Sequence, residues 1–304
     1  NEHDAEKMAG LLESFGLRPA ASEHEADLIL LNTCSVREKA SHKVFTRLGQ
    51  LRTQKAARPG MLLGVCGCVA QQEQDDIFKR APFVDMVFGP RRLSSLPDLI
   101  EESRRTRHVS AFFDPGDKQM SEMEGALRVS RTRAYITVME GCNKNCTFCI
   151  VPITRGRESC RTPEAILQEA RDCARGGLSE IELLGQNVNA WHHGNGIAAW
   201  DFSRLLGAVA GTPGVRRVRF MTSHPLHFRN SIIDTMAAND SICRHLHLPF
   251  QSGSDQILAR MRRGYTRPEF LERVDRLRRS IPGVAVSTDI IVGFPGETET
   301  DFQL

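Results

Sequence analysis

Two α/β domains in tandem are what the sequence predicts: an open parallel sheet, then a partial (β/α) barrel that stops before closure. Three observations predict them. Short apolar runs of strand length alternate with amphipathic stretches of helix length along all 304 residues. A polar stretch of weak periodicity, residues 104–130, interrupts that alternation once. In the second half, apolar runs repeatedly end in polar clusters, as strands do when they deliver loops to one end of a barrel. The predicted boundaries are residues 1–103 for the first domain, 104–130 for a linker and 131–304 for the second.

In order, residues 1–17 carry Met8, Leu11, Leu12 and Phe15 at helical spacing, with Gly16 near the stop. Asp27–Leu31 is a short buried strand ending in Asn32-Thr33-Cys34-Ser35, and a helix follows from about Arg37 to Lys55. Met61–Val65 is the second strand and breaks into Cys66-Gly67-Cys68-Val69-Ala70-Gln71; residues 72–80 form a helix, 85–89 a strand and 93–103 a helix. In an open parallel sheet, ligands gather beyond the carboxyl ends of the strands, where Cys34 and Cys68 both fall. They either face one site or are two ordinary buried thiols. Cys66, set apart from Cys68 by Gly67, is read as pointing away from that site.

After the linker, Ala134–Met139 is a strand leading into Gly141-Cys142-Asn143-Lys144-Asn145-Cys146-Thr147-Phe148-Cys149. Pro163–Ala174 is a helix with Thr162 as its N-cap. Strands are predicted at 181–185, 218–221, 246–249 and 284–292, with helices at 202–209, 226–238 and between 255 and 279. Their carboxyl ends carry Gln186-Asn187-Val188-Asn189, Thr222-Ser223-His224-Pro225, Gln251-Ser252-Gly253-Ser254 and Gly293-Phe294-Pro295-Gly296-Glu297. Gln186, Asn187, Ser223, Gln251 and Asp289 are candidates for cofactor or substrate contacts, or for bonds that merely fix loops. The histidines at 192, 193, 224, 227, 245 and 247 read as loop or surface residues, and Cys160, Cys173 and Cys243 as packing thiols.

The composition is 40% hydrophobic and 25% charged, ordinary for a globular chain. No run approaches the roughly 20 apolar residues of a membrane span, and no secretory signal is visible. Nine cysteines, an odd count, read as metal ligands plus buried thiols in a reducing cytoplasm. A net charge of +3 does not demand a nucleic-acid partner. Local basic clusters at 104–107, 155–161, 216–219 and 260–267 permit one.

The spacing Cys142-x3-Cys146-x2-Cys149 sets three soft thiolate ligands in one loop. A structural zinc knuckle is the bland alternative, but no second ligand pair follows closely. With aromatic Phe148 before the last cysteine, the motif resembles that of the radical S-adenosylmethionine (SAM) superfamily. The resemblance implies a 4Fe-4S cluster whose fourth iron binds SAM, with Phe148 near the cofactor.

Further stretches narrow it: Asn32-Thr33-Cys34-Ser35-Val36-Arg37-Glu38-Lys39-Ala40, Gly67-Cys68-Val69-Ala70-Gln71, Thr154-Arg155-Gly156-Arg157-Glu158-Ser159-Cys160-Arg161, Leu184–Asn189, Leu248–Ser254 and Thr288–Thr298. With these the chain is similar throughout to the radical SAM methylthiotransferases. The Ser-Val-Arg-Glu after Cys34 and the Asn-Lys after Cys142 resemble the branch that adds a methylthio group to C2 of N6-isopentenyladenosine at tRNA position 37. Sister branches act on threonylcarbamoyl-adenosine in tRNA or on an aspartate of a ribosomal protein. A non-catalytic iron–sulfur RNA-binding redox sensor is the alternative from another class, and the intact three-cysteine motif argues against it.

The family resemblance also implies a second 4Fe-4S cluster held by Cys34, Cys68 and a third cysteine expected just upstream of Asn1. One SAM methylates a sulfur held there and another yields the radical that acts at C2. The expected partners are the tRNA anticodon loop, an electron donor and a sulfur source, with no membrane, in a monomeric cytoplasmic enzyme. The chain reads as a fragment lacking both ends, including the carboxyl-terminal TRAM domain, and so as binding its second cluster poorly and tRNA weakly.

Overall fold

The computed structural model describes residues 1–35, 38–114 and 126–304, without the side chains of residues 38–41. Val36 and Arg37 of the first family-like stretch, and residues 115–125 of the predicted linker, therefore lie outside the described residues. The chain forms two units, residues 1–129 with 150–157, and residues 130–149 with 158–304.

The first unit runs α1 (Glu2–Ser14), β1 (Leu28–Thr33), α2 (Glu38–Ala57), β2 (Leu62–Gly67), α3 (Cys68–Glu73), α4 (Asp76–Arg80), β3 (Met86–Phe88), α5 (Leu96–Ser103) and β4 (Val109–Ala111). All four strands are parallel, in the order β1-β2-β3-β4. The central strand is buried on both faces, as its unbroken apolar run requires. Leu63, Val65 and Val87 pack under Val44, Leu48 and Leu51 of α2 and Ile77 of α4. Leu62, Cys66, Met86 and Phe88 pack under Met8 of α1 and Leu96, Leu99 and Ile100 of α5. Each such large side chain contributes about 1.5–3 kcal/mol by leaving water.

Two expectations need correction. The helix expected at 72–80 starts at Cys68, directly on the end of β2, and Gln74, at φ +48°, breaks it in two. The stretch read as linker opens with β4, whose three residues pair with β3 but are too few to show a period.

In the second unit, β5 (Arg133–Thr137) leads to β6 (Met139–Glu140), which pairs antiparallel with β7 (Ser159–Cys160). Between those two strands the chain makes α6 (Val151–Thr154), which belongs to the first unit. There follow α7 (Pro163–Arg175), β8 (Glu180–Leu184), the small hairpin β9 (His192–His193) and β10 (Trp200–Asp201), α8 (Phe202–Ala210), β11 (Arg217–Phe220), α9 (Asn230–Ala238), β12 (His245–His247), α10 (Asp255–Arg260), α11 (Arg267–Ser280), β13 (Ala285–Ser287) and α12 (Glu299–Gln303).

Strands β5, β8 and β11 form one parallel sheet and β12 and β13 another; an isolated parallel bridge, Val218 to Ile242, joins β11 to the segment just before β12. The result is an arc of five strands in sequence order, open at its edges, which is the partial barrel the alternation predicts. Helix starts are set by local chemistry. Thr162 accepts from Ala165 N (3.2 Å), Asp201 from Arg204 N (2.9 Å) and Ser254 from Ile257 N (3.3 Å). The strand expected at 284–292 is shorter, since only Ala285–Ser287 pair continuously before a lone bridge at Ile290. Among the described residues no helix is long and apolar enough to cross a membrane.

Candidate functional site

Parallel pairing of β1 with β2 puts Thr33 opposite Gly67, so Cys34 and Cys68 leave adjacent strands at neighbouring positions. The two backbones close tightly there. A Cβ on Gly67 (φ +91°) would lie 2.5 Å from Thr33 O, so only glycine fits. Asn32 Nδ2 donates to Asn1 O (2.7 Å), which seats the amino end of α1 beside the same strand ends. Cys66, in phase with the α1 face, is buried against Met8, and burial pushes its thiol far up.

In the second unit the three-cysteine loop leaves β6 and is held at both ends. Gly141 N donates to Gln186 Oε1 (2.6 Å). Glu158, just before β7, accepts from Asn143 N (3.1 Å), Asn143 Nδ2 (3.2 Å) and Asn187 Nδ2 (3.4 Å). Further along, Thr147 N donates to Met261 O (3.2 Å) and Thr147 Oγ1 to Arg260 O (3.2 Å). Arg263, buried despite its charge, donates to Cys146 Sγ (3.4 Å) and Pro249 O (3.0 Å), and lies 6.0 Å from the Phe148 ring centroid.

The Cys142 thiol is pushed up to about 11 by burial; the Lys144 N–H, 3.5 Å from its sulfur, opposes the rise, while Glu158 and the other two thiols add to it. Three sulfurs that feel one another, two of them receiving N–H donors, fit the donor set of an iron–sulfur cluster. Among the described residues no three thiol, imidazole or carboxylate groups are drawn together as a finished metal cage.

At the carboxyl ends of β8 and β11 the structure leaves polar atoms unanswered. Among the described residues Asn187 Oδ1, Ser223 Oγ and His224 Nε2 find no hydrogen-bond partner, although these residues are only 1%, 4% and 7% exposed. Buried polar groups are normally paired, so three such atoms at adjoining loop starts indicate a polar ligand. The loops are joined by Val188 N to Thr222 O (3.2 Å) and by a reciprocal pair between Asn189 and the His224 backbone, both at 2.9 Å.

Backbone strain collects here too, with Thr222, Gln251 and Arg262 at positive φ, costing on the order of 1–3 kcal/mol each. His224 Nδ1 accepts from Leu226 N (3.2 Å), which leaves the proton on Nε2. Burial, with Arg263 adding to it, pushes this imidazole down to about 2, so it is neutral at any working pH.

Among the sequence-based candidates, Gln186 clamps the loop, Asn187 and Ser223 offer unfilled hydrogen-bonding capacity, and Gln251 exchanges backbone bonds with Asp289 and Ile291. Asp289 is exposed and reaches His247 Nε2 at 3.3 Å. Three residues escaped sequence reasoning. His224 stood in a noted polar cluster but was set aside with the other histidines. Arg263 was one of four arginines in a basic cluster noted only as permitting a nucleic-acid partner, and only tertiary packing buries it. Glu158 lay inside a quoted family-like stretch, between Arg157 and Ser159, without a role.

Residues 136–303 match the radical SAM superfamily, and residues 1–89 match uncharacterized protein family UPF0004. A protein from Desulforamulus reducens named tRNA-2-methylthio-N(6)-dimethylallyladenosine synthase is 44% identical, across 100% of this chain and 67% of its own length. One of the same name from Legionella pneumophila (strain Corby) is 48% identical, across 100% of this chain and 68% of its own. Among solved structures, the radical SAM methyltransferase TsrM from Kitasatospora setae, with cobalamin and a [4Fe-4S] cluster bound, shares the fold at a TM-score of 0.61 and 18% identity, over 96% of this chain and 62% of that one. The cobalamin-dependent radical SAM enzyme OxsB follows at 0.57 and 14%, over 87% and 40%.

Proposed function

Since the chain belongs to the radical SAM methylthiotransferases, we propose that it adds a methylthio group to C2 of N6-isopentenyladenosine at position 37 of tRNA. The observation that carries this reading is identity of 44% or more, along the whole chain, to synthases named for that product. Residues 1–103 serve as the sulfur-bearing domain, with Cys34 and Cys68 as ligands; residues 131–304 serve as the radical domain, with Cys142, Cys146 and Cys149. The two 4Fe-4S clusters supply, when bound, the electron that cleaves SAM and the sulfur that is transferred.

What the chain's own residues do follows from the site. Glu158 and Gln186 fix the loop that presents the thiolates. Asn187, Ser223 and His224 offer one acceptor, one hydroxyl and one donor to a polar ligand at the barrel mouth. An unpaired loop base suits such a mouth, because splayed bases can be read on their edges. A cellular electron donor, a sulfur source, a monomeric state and a cytoplasmic location complete the proposal.

Deleting the gene should remove 2-methylthio-N6-isopentenyladenosine from cellular tRNA and leave N6-isopentenyladenosine in its place, read by nucleoside mass spectrometry. Survival of that mark while another methylthiolated nucleoside disappears would transfer the enzyme to a different substrate. A second expectation concerns Arg263. Its charge and its N–H on Cys146 stabilise a reduced cluster, so Arg263→Met should shift the cluster midpoint to more negative potential with iron content retained, and Arg263→Lys should recover part of the shift. An EPR-monitored redox titration reads both, and an unchanged midpoint contradicts the role.

A further inference from the structure

At the amino ends of β2, β3 and β4, on the opposite edge of the first unit from Cys34 and Cys68, lies a cavity of about 890 Å³. Six residues, at about 3.3 Å each, make β1 on the order of 20 Å long, so the two places are separated by roughly that distance. The cavity is lined by Arg52, Lys55, Arg80, Arg104, Arg105 and Arg107 against a single carboxylate, Asp85, whereas the whole chain carries a net charge of only +3.

The bland account is that these cations answer helix carbonyl ends, since α2, α4 and α5 all terminate here. Each such end carries about half a negative charge, so three of them offset less than two of the surplus positive charges. Lys55 is committed to Asp85 (2.7 Å), Arg80 lies over the Phe45 ring, and Arg105 stands 3.8 Å from Glu101. Exposed Arg52, Arg104 and Arg107 have no acceptor among the described residues. Ser103, a lining residue only 8% exposed, has a hydroxyl without a partner among the described residues. A cavity with surplus positive charge, exposed guanidinium donors and an unanswered buried hydroxyl has the chemistry of a phosphate receptor.

We propose that this cavity docks the phosphate backbone of the tRNA, away from the reacting base. The inference rests on tRNA being the substrate. It assigns the first unit a second task, gripping RNA through its amino edge while its carboxyl edge carries the cysteine pair. A contact of this kind reads no sequence, adds affinity and makes binding steeply salt-dependent.

The test is fluorescence anisotropy of a labelled tRNA transcript with the full chain, across a series of potassium chloride concentrations. The Arg104→Ala/Arg107→Ala variant should bind on the order of 10-fold more weakly at moderate salt, with the log–log salt slope smaller by about 2, roughly one for each lost phosphate contact. Arg104→Lys/Arg107→Lys should keep most of both. Both positions are exposed, and circular dichroism confirms that the variants fold.

Unchanged affinity and slope in the alanine pair overturn the proposal while leaving the substrate reading intact. So does stabilisation of the wild type, but not of the alanine pair, by millimolar inorganic phosphate with tRNA affinity unaltered, because that marks a small-anion site. Failure of the wild type to bind tRNA or an unrelated RNA of equal length at low salt also overturns this inference, whereas the substrate reading falls only if the tRNA nucleosides of the deletion strain are unchanged.

Discussion

Replacing Cys142, Cys146 or Cys149 with alanine should abolish iron binding by the loop and reduce 5′-deoxyadenosine formation from SAM by more than about 100-fold. Loss of a group that merely supports a metal ligand already costs 10–100-fold, and here a ligand itself is lost. Packing does not confound the result. Cys142 and Cys149 are only partly buried, and the loop keeps its other anchors at Gly141, Asn143 and Thr147. The controls are Cys160→Ala and Cys243→Ala, thiols outside the loop, which should retain both iron and turnover. Iron assay after anaerobic reconstitution reads the first effect and chromatography of the products the second. A loop variant that keeps its cluster would refute the assignment of that cysteine.

The second large effect is on stability. Asp4 of α1 and Arg155, just after α6, are both buried and meet at 2.5 Å inside the first unit. Burial alone would raise the Asp4 carboxyl, but the Arg155 guanidinium, the terminal amine and Lys7 together outweigh it and hold the group well below the usual carboxylate range. Removing one partner strands the other charge in the interior, so Arg155→Met should destabilise the unit by about 3–5 kcal/mol. Asp4→Asn combined with Arg155→Met should recover part of that loss.

The pH dependence has a definite sign. A carboxyl depressed in the folded state contributes stability that is fully present above its unfolded value of about 3.9 and is lost as pH falls below it. The wild type should therefore weaken below about pH 4, and Arg155→Met should have a flatter profile there. Fluorescence is the wrong probe, because Trp191, Trp200, Tyr135 and Tyr265 all lie in the second unit. Amide hydrogen exchange in β2 is the right one. Equal protection in wild type and variant would show that the ion pair contributes nothing.

How much of this was legible in the sequence depended on whether a signal was local. Thr162 announced its helix because an N-cap acts within four residues, and β2 announced itself because Met61–Val65 is an unbroken run of apolar and small residues. The cysteine loop was legible because its three cysteines all fall between residues 142 and 149. The pairing of Cys34 with Cys68 was half legible: both stand at strand ends, but only the parallel register makes those ends neighbours. Arg263 and His224 were illegible. Nothing within ten residues distinguishes an arginine that will be covered from its solvated neighbours, and the histidine's orphaned Nε2 exists only once Leu226 has occupied Nδ1. Strand β4 failed for a different reason, since three residues cannot display a period.

Because residues 150–157 belong with residues 1–129, the first unit is not contiguous along the chain. During translation, a nascent chain that has emerged only to Val129 holds Asp4 without Arg155, and its folding must wait for a segment made after the cysteine loop. At 5–20 residues per second that delay is on the order of a few seconds. Ribosome-bound intermediates stalled short of Arg157 would therefore be the stage most in need of chaperones.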